Sequence, residues 1–226
     1  MNALPEPHPR SLSPRGLAIL GWLSLAVAGA IFFTIARDVA THAPLVILDA
    51  RIAAWLHTHG TLEITAFLFA VTQMHSMAGI SIMSLAFGIV LGRLREWYWL
   101  LTLALSVGGG MALNTILKRA YARARPHFDD PWVTLSSFSF PSGHTAAAVL
   151  FYGVAAAFLV SRFYDRRRRV VCIAGAVIAI FLVALSRMYL GAHYLSDVAA
   201  AAASSTAWLV LCLSTVHGLV RRRRQA

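Results

Sequence analysis

The stretch VVCIAGAVIAIFLVALSRMYLGAHYLSD, residues 170–197, decides what kind of molecule this chain makes. Val170 to Leu185 carries no charged side chain, and as a helix it is about 24 Å long, close to the thickness of a bilayer's hydrocarbon core. A surface helix of a soluble domain would show a polar stripe at helical period, and none is present, so the run reads as a membrane span. Arg166 to Arg169 precede it and Arg187 stands at its far edge. Beyond that edge come His193 and, four residues on, Asp197. If the chain is helical from His193, the two lie on one face a turn apart, close enough for the carboxylate to hold the imidazole and leave the other ring nitrogen free as a nucleophile or base. Arg187 nearby suggests an anionic target. The same residues also fit a loop histidine and an aspartate favoured at a helix start, so the rest of the chain has to decide.

The composition agrees with a membrane protein. Of 226 residues 58% are hydrophobic and 13% charged, and mean hydropathy is +0.68. The formal charge of +11 does not indicate nucleic-acid binding, because the arginines sit at the ends of apolar runs and no basic face interleaved with aromatics can be drawn. Cys172 and Cys212 fall inside apolar runs and read as small core residues. Lysine occurs once, at Lys118, against 19 arginines, which hints that this position needs a compact ammonium.

Taken in order, the chain predicts an all-α integral membrane protein of six spans in one bundle, with short interfacial helices. Residues 1–15 read as a disordered cytoplasmic tail, 16–220 as the membrane domain and 221–226 as a basic cytoplasmic tail. The first span is Gly16 to Ala36, a retained anchor because its apolar run is too long for a signal peptide. Pro44 to His59 has helical periodicity and suits an interfacial helix, with Asp49, Arg51 and His57 as its polar residues. Leu62 to Val71 is too short to span and is expected to be interfacial or re-entrant. The remaining spans are expected at Thr72–Gly92, Trp97–Leu117, Gly143–Ser161, Val170–Leu185 and Val198–Val220. Gly108 to Gly110 would let a neighbouring helix approach closely. With six spans, 13 of the 20 basic residues fall on one side, which is therefore cytoplasmic, and the segments Lys118–Ser142 and Arg187–Asp197 share the outer, periplasmic face.

Three segments converge there. Lys118 and Arg125 are two helical turns apart, so both should project from one side of a helix before Pro126 stops it. Arg119 and Arg123 fall on other faces and are expected to contact headgroups or snorkel. Pro141-Ser142-Gly143-His144 opens the fourth span, where free N–H groups and the positive end of the helix form an anion site; Gly143 permits close approach, Ser142 adds a hydroxyl and His144 sits beside the bound group. Arg187, His193 and Asp197 complete a pocket suited to a phosphate dianion with a nucleophile and a separate acid. Asp129 and Asp130 could bind Mg²⁺ as a pair, but they have no further ligands and read as loop residues.

Lys-x₆-Arg-Pro at 118–126, Pro-Ser-Gly-His at 141–144 and Ser-Arg-x₅-His-x₃-Asp at 186–197 together resemble the three signature motifs of the type 2 phosphatidic acid phosphatase superfamily, with all eleven signature residues present in order. The resemblance implies a membrane lipid-phosphate phosphatase that needs no cofactor or metal. It implies His193 as the group that attacks phosphorus, Asp197 as its orienting carboxylate and His144 as the proton donor to the leaving oxygen. Lys118, Arg125, Ser142, Gly143 and Arg187 would hold the phosphoryl oxygens. Undecaprenyl diphosphate, phosphatidate, phosphatidylglycerophosphate and lipid A are the implied substrates, acted on at the outer face of a bacterial inner membrane. A phosphotransferase using the same site, and a transporter or lipid-binding protein with a phosphate pocket, remain alternatives. Oligomeric state is not readable from the chain.

Overall fold

A computed structural model describes residues 14–223, so residues 1–13 of the expected 1–15 tail and the last three of the expected 221–226 tail lie outside the described part, while Pro14 and Arg15 belong to the first helix and Arg221 to Arg223 to the last. The described residues form nine α-helices: α1 (Pro14–Ala40), α2 (Pro44–Thr58), α3 (Leu62–Met74), α4 (Met77–Arg93), α5 (Trp97–Leu103), α6 (Gly110–Tyr121), α7 (Gly143–Arg162), α8 (Arg166–Tyr189) and α9 (Leu195–Arg223). A π-helical turn, Ala104–Gly109, joins α5 to α6 within one continuous span. Five segments are long and apolar enough to cross a bilayer, namely Ala18–Ala40, Trp97–Tyr121, Gly143–Arg162, Arg166–Tyr189 and Leu195–Val216. The pair α3 and α4, bent by 53° at its break, makes a sixth if it counts as one span.

The centre of the bundle is α7. Its first turns are rich in alanine, and Ala146, Ala147 and Ala148 are all buried, so neighbouring backbones can approach closely near its start. Further along, Leu150, Val154 and Phe158 pack with Ile80 and Leu91 of α4, Leu103 of α5 and Leu209 of α9. Large side chains elsewhere face outward, Trp22 and Phe33 on α1 among them, as expected where lipid is the solvent.

Two expectations are corrected here and a third is refined. The break between α3 and α4 lies at His75 and Ser76, not before Thr72. Polar side chains at the break satisfy the backbone groups that it frees: Ser76 Oγ caps α4 by accepting from Gly79 N–H, and His75 Nδ1 meets the Val71 carbonyl at 2.7 Å. With Nδ1–H donating to that carbonyl, His75 Nε2 accepts from the Tyr152 hydroxyl at 2.7 Å and ties the bend to α7. The second correction concerns α2, which does not merely lie on the bundle, since Asp49 is completely buried in it. The third concerns Gly109 and Gly110. A neighbour does approach them, the Trp208 indole of α9, but through a π-helical turn that periodicity does not disclose; Trp208 Nε1–H donates to the Leu105 carbonyl within that turn at 3.1 Å.

Because α6, α7, α8 and α9 run alternately up and down, the end of α6, the start of α7, the end of α8 and the start of α9 all meet at one end of the bundle. The other end carries Arg162, paired with Glu96, and the arginines that open α8.

Candidate active site

A cavity of ≈ 470 Å³ opens at the first of these ends. Lys118, Arg125, Gly143, His144, Arg187 and His193 line it, with Met77, Met111 and Leu135 adding apolar surface and Asn114 an amide. Residues distant in sequence therefore share one space.

Each functional side chain arrives by a different local device. Lys118 stands in the last turn of α6, with Nζ donating to the Phe138 carbonyl at 2.6 Å. Arg125 does not follow it on the same helix, as the two-turn spacing predicts. The helix ends at Tyr121, Ala122 takes a left-handed conformation (φ 43°), and the chain continues without helical structure. Arg125 is instead held by the segment before α7: Nε donates to the Ser137 carbonyl at 2.6 Å, Nη2 to Ser137 Oγ at 2.9 Å, and Nη1 to the Ala192 carbonyl at 2.6 Å. Its Nη1 also lies 3.2 Å from His193 Nε2.

Ser142 and Gly143 open α7 as expected, but the two act differently. Ser142 is fully buried and its hydroxyl is the N-cap, accepting from Thr145 N–H and from Thr145 Oγ1–H. Its own N–H donates to the Asp197 carbonyl at 3.1 Å. The hydroxyl thus shapes the helix start and does not line the cavity. Gly143 and His144 occupy the first helical positions, whose N–H groups have no acceptor inside the helix, and both line the cavity. The His144 side chain makes no protein hydrogen bond among the described residues, so it is free to meet a ligand.

Arg187 closes α8, buried to all but 3% of its surface, with Nη1 donating to Thr72 Oγ1 at 2.5 Å. Its Nε is buried without a partner, and so is Nδ2 of Asn114. Both residues line the cavity, and an acceptor-rich ligand there could pair these donors and recover what a buried unpaired N–H costs, about 1–3 kcal/mol.

After α8 the chain turns through Gly191 at φ +68°, a conformation that glycine adopts without strain, and places His193 just before α9. The helix does not begin at His193 but at Leu195. Asp197 consequently serves both roles that its sequence position allows. Its Oδ2 accepts from Tyr194 N–H at 2.9 Å, capping the start of α9, and faces His193 Nδ1 at 3.5 Å. Ser139 Oγ–H donates to the same oxygen and lies 3.4 Å from Nδ1. The imidazole is therefore oriented with Nδ1 toward the carboxylate and Nε2 toward the cavity and Arg125. Distances near 3.5 Å are ordinary for catalytic pairs before a ligand tightens them.

Burial pushes the His193 imidazole down to about 4, against the opposing pull of Asp197, with Arg187 and Arg125 adding to the depression. The ring is then neutral, with Nε2 unprotonated, at any pH well above 4. Protonation removes the Nε2 lone pair, so any rate that depends on that lone pair should be lost as pH falls through the folded-state value. The acid limb of kcat/KM, corrected for ionisation of the substrate itself, is expected near pH 4. A corrected limb at the free-imidazole value of about 6.5 would contradict this.

Arg123 corrects the sequence reading outright. It does not reach a headgroup; its side chain is only 10% exposed and bridges two carboxylates, with Nη1 2.7 Å from Asp197 Oδ1 and Nη2 2.8 Å from Asp49 Oδ2. Helical phase cannot assign its direction, because the helix has already ended. Burial opposes its charge, yet Asp197 and Asp49 more than offset that cost and hold the guanidinium above its ordinary value. Arg119 is exposed, as expected. Asp129 and Asp130 are exposed loop residues, and Asp130 takes His57 Nε2 at 3.0 Å. Sequence reasoning missed Asp49, Thr72, Asn114 and Ser139. Asn114 was legible as the residue one turn before Lys118 and Asp49 as an acid in an amphipathic helix; Thr72 and Ser139 have no local signature.

The PAP2 superfamily model matches residues 99–221, more than half of the chain. The chain belongs to that superfamily. Among curated relatives, phosphatidylglycerophosphatase B of Bacillus subtilis (strain 168) is 45% identical over 106 residues, 46% of this chain and 51% of that protein. Lipid A 1-phosphatase of Rhizobium johnstonii is 40% identical over 113 residues, 46% of this chain and 42% of that protein. The matched stretch thus spans about half the length of these PAP2 relatives or less. Among solved structures, the PAP2-type phosphatidylglycerolphosphate phosphatase of Bacillus subtilis superposes with a TM-score of 0.77 at 27% identity, covering 85% of this chain and 95% of that one. Aquifex aeolicus LpxE superposes with a TM-score of 0.61 at 21% identity over 74% of this chain and 95% of that one, a likeness of fold.

Proposed function

We propose that this chain is a membrane-embedded lipid-phosphate phosphatase working through a phosphohistidine. The observation that carries it is His193, with Nδ1 facing Asp197 and Nε2 facing a cavity walled by Lys118, Arg125 and Arg187. The phosphoryl oxygens bind to those cations and to the N–H groups at the start of α7. His193 Nε2 attacks phosphorus as the ester or anhydride P–O bond breaks, and the departing oxygen takes a proton from His144. Water then attacks the phosphohistidine, its proton passing to His144 as the P–N bond breaks and inorganic phosphate leaves. Asp197 stabilises the charge that His193 gains in the first step.

Three further observations support a lipid substrate at an outer membrane face. The cavity opens at the end of a bundle of apolar helices, its lining includes Met77, Met111 and Leu135, and the arginines that open α8 and close α9 lie at the opposite end, which the charge bias assigns to the cytoplasm. Relatives named for phosphatidylglycerophosphate and lipid A favour phosphatidylglycerophosphate, phosphatidate and lipid A phosphates over water-soluble esters, with undecaprenyl diphosphate in the same class. The proposed setting is a bacterial inner membrane, with the cavity at its outer face.

Purified full-length protein in detergent should release phosphate from at least one of phosphatidylglycerophosphate, phosphatidate, undecaprenyl diphosphate and lipid A. Binding to all four without release would instead support a lipid-binding or transport role, and transfer of the phosphoryl group to an added lipid alcohol would support a phosphotransferase. Turnover should survive EDTA, because every charge-stabilising group in the scheme is a protein cation or N–H. A Mg²⁺ requirement would redirect attention to Asp129 and Asp130.

A further inference from the structure

The Asp49–Arg123 pair lies outside the cavity and takes no part in the scheme above, yet it is one of the most deeply buried charged assemblies in the described chain. Asp49 is fully buried in α2, and both its oxygens are occupied: Oδ1 accepts from Ser196 N–H at 2.9 Å, and Oδ2 accepts from Ser196 Oγ–H and from Arg123 Nη2. Arg123 Nη1 reaches Asp197 Oδ1 and Ser196 Oγ, each at 2.7 Å, and its guanidinium lies over the Tyr194 ring at 4.3 Å. A guanidinium fork thus holds Asp197 from the side opposite His193, while a second carboxylate holds the fork.

Counting charge shows what each member contributes. An Arg–Asp pair alone is neutral, and Asp197 clamped by Arg123 without a counter-ion would offer little negative potential to a histidine that becomes positive when phosphorylated. Adding Asp49 on the far prong returns the cluster to a net charge of −1. The division of Asp197 has the same sense: Oδ1 serves the clamp, and Oδ2 is left for Ser139, Tyr194 N–H and His193. Arg123 gives one nitrogen to each carboxylate, and the rigid planar guanidinium holds the two at a fixed separation, which a lysine's point ammonium could not do.

We infer that Asp49 and Arg123 are positioning residues for the phosphoryl-transfer step, Arg123 fixing the Asp197 carboxylate against His193 and Asp49 restoring the negative charge that Arg123 would otherwise cancel. The assignment rests on His193 as the attacking group. It gives α2, which contributes nothing to the cavity wall, a function at the reaction centre: anchoring the start of α9 through Ser196 and setting the charge behind Asp197.

The test is phosphate release from dihexanoyl phosphatidate by the full-length protein in detergent, comparing Asp49→Asn, Arg123→Gln, the double variant and His193→Ala. Asp49→Asn keeps the shape and most hydrogen bonds, so it should lower kcat about 10- to 100-fold, the range for a partner that orients a reacting group, and leave KM unchanged. Arg123→Gln leaves two buried carboxylates facing each other without a cation and should lose more. The double variant removes one charge of each sign and restores the net −1, so it should retain more activity than Arg123→Gln alone. An unaltered kcat in Asp49→Asn, a change confined to KM, or losses that simply multiply in the double variant would overturn the positioning role. Should Arg123→Gln not yield folded protein, the split between kcat and KM in Asp49→Asn decides alone. Turnover retained by His193→Ala would overturn the nucleophile assignment itself, whereas an inactive His193→Ala beside an unimpaired Asp49→Asn overturns only the role given to the pair.

Discussion

Replacing His193 with alanine is expected to lower phosphate release by roughly 10⁴- to 10⁶-fold, the range seen when the nucleophile of a hydrolase is removed and only binding and electrostatic stabilisation remain. The loss should fall on kcat, because Lys118, Arg125 and Arg187 still hold the phosphoryl group. The side chain is only 2% exposed, so truncation also leaves a void, and thermal unfolding of the detergent-solubilised variant must be measured alongside turnover. Two further results separate chemistry from packing. Rapid acid-free quenching of the wild type with ³²P-labelled substrate should trap a label that is stable to base and lost in acid, as expected for a phosphorus–nitrogen bond, and His193→Ala should trap none. Asp197→Asn should still bind substrate but form the labelled species about 10⁴-fold more slowly, through loss of the charge that Nδ1 faces. A folded His193→Ala protein with ordinary turnover would remove the covalent step from the scheme.

How the site was legible differs from residue to residue, and the difference is physical. Lys118 and the start of α7 follow from local rules, because a helix's phase and its capping residues are written in adjacent positions. Arg125 lines the same cavity as Lys118, but not through their two-turn spacing: α6 stops at Tyr121, and Arg125 is aimed by Ser137, Phe138 and Ala192. The same end of the helix explains the error at Arg123. Helical phase carries no information past a left-handed Ala122, so the direction of Arg123 depends on two carboxylates, one 74 residues before it and one 74 residues after it. Asp49 did carry a signal, an acid within an otherwise apolar amphipathic helix, but an interfacial helix explains such a residue equally well. The broken span was half legible: the short length of Leu62 to Val71 excluded a crossing on its own, whereas the point of the break is set by His75 reaching Tyr152 across to α7.

Substituting His144 with alanine should discriminate between substrates as well as slow them. The ring lines the cavity at the start of α7 across from His193, and its proposed task is to protonate the oxygen that departs from phosphorus. An alkoxide leaving from a phosphomonoester such as phosphatidate is a strong base and needs that proton in the transition state. A phosphate leaving from a lipid diphosphate is a far weaker base and departs largely unaided. Loss of a positioned general acid costs about 10²- to 10⁴-fold, so the monoester rate should fall by that amount and the diphosphate rate by much less in its first, phosphoryl-transfer step. His144 also helps deprotonate water in the second step, which is the same for both substrates. The labelled histidine should therefore accumulate in His144→Ala when a diphosphate is supplied, and stay scarce when a monoester is supplied. Equal slowing of the first step on both substrates, measured by rapid quench, would deny His144 the role of acid and leave it as one more group that binds the phosphoryl oxygens.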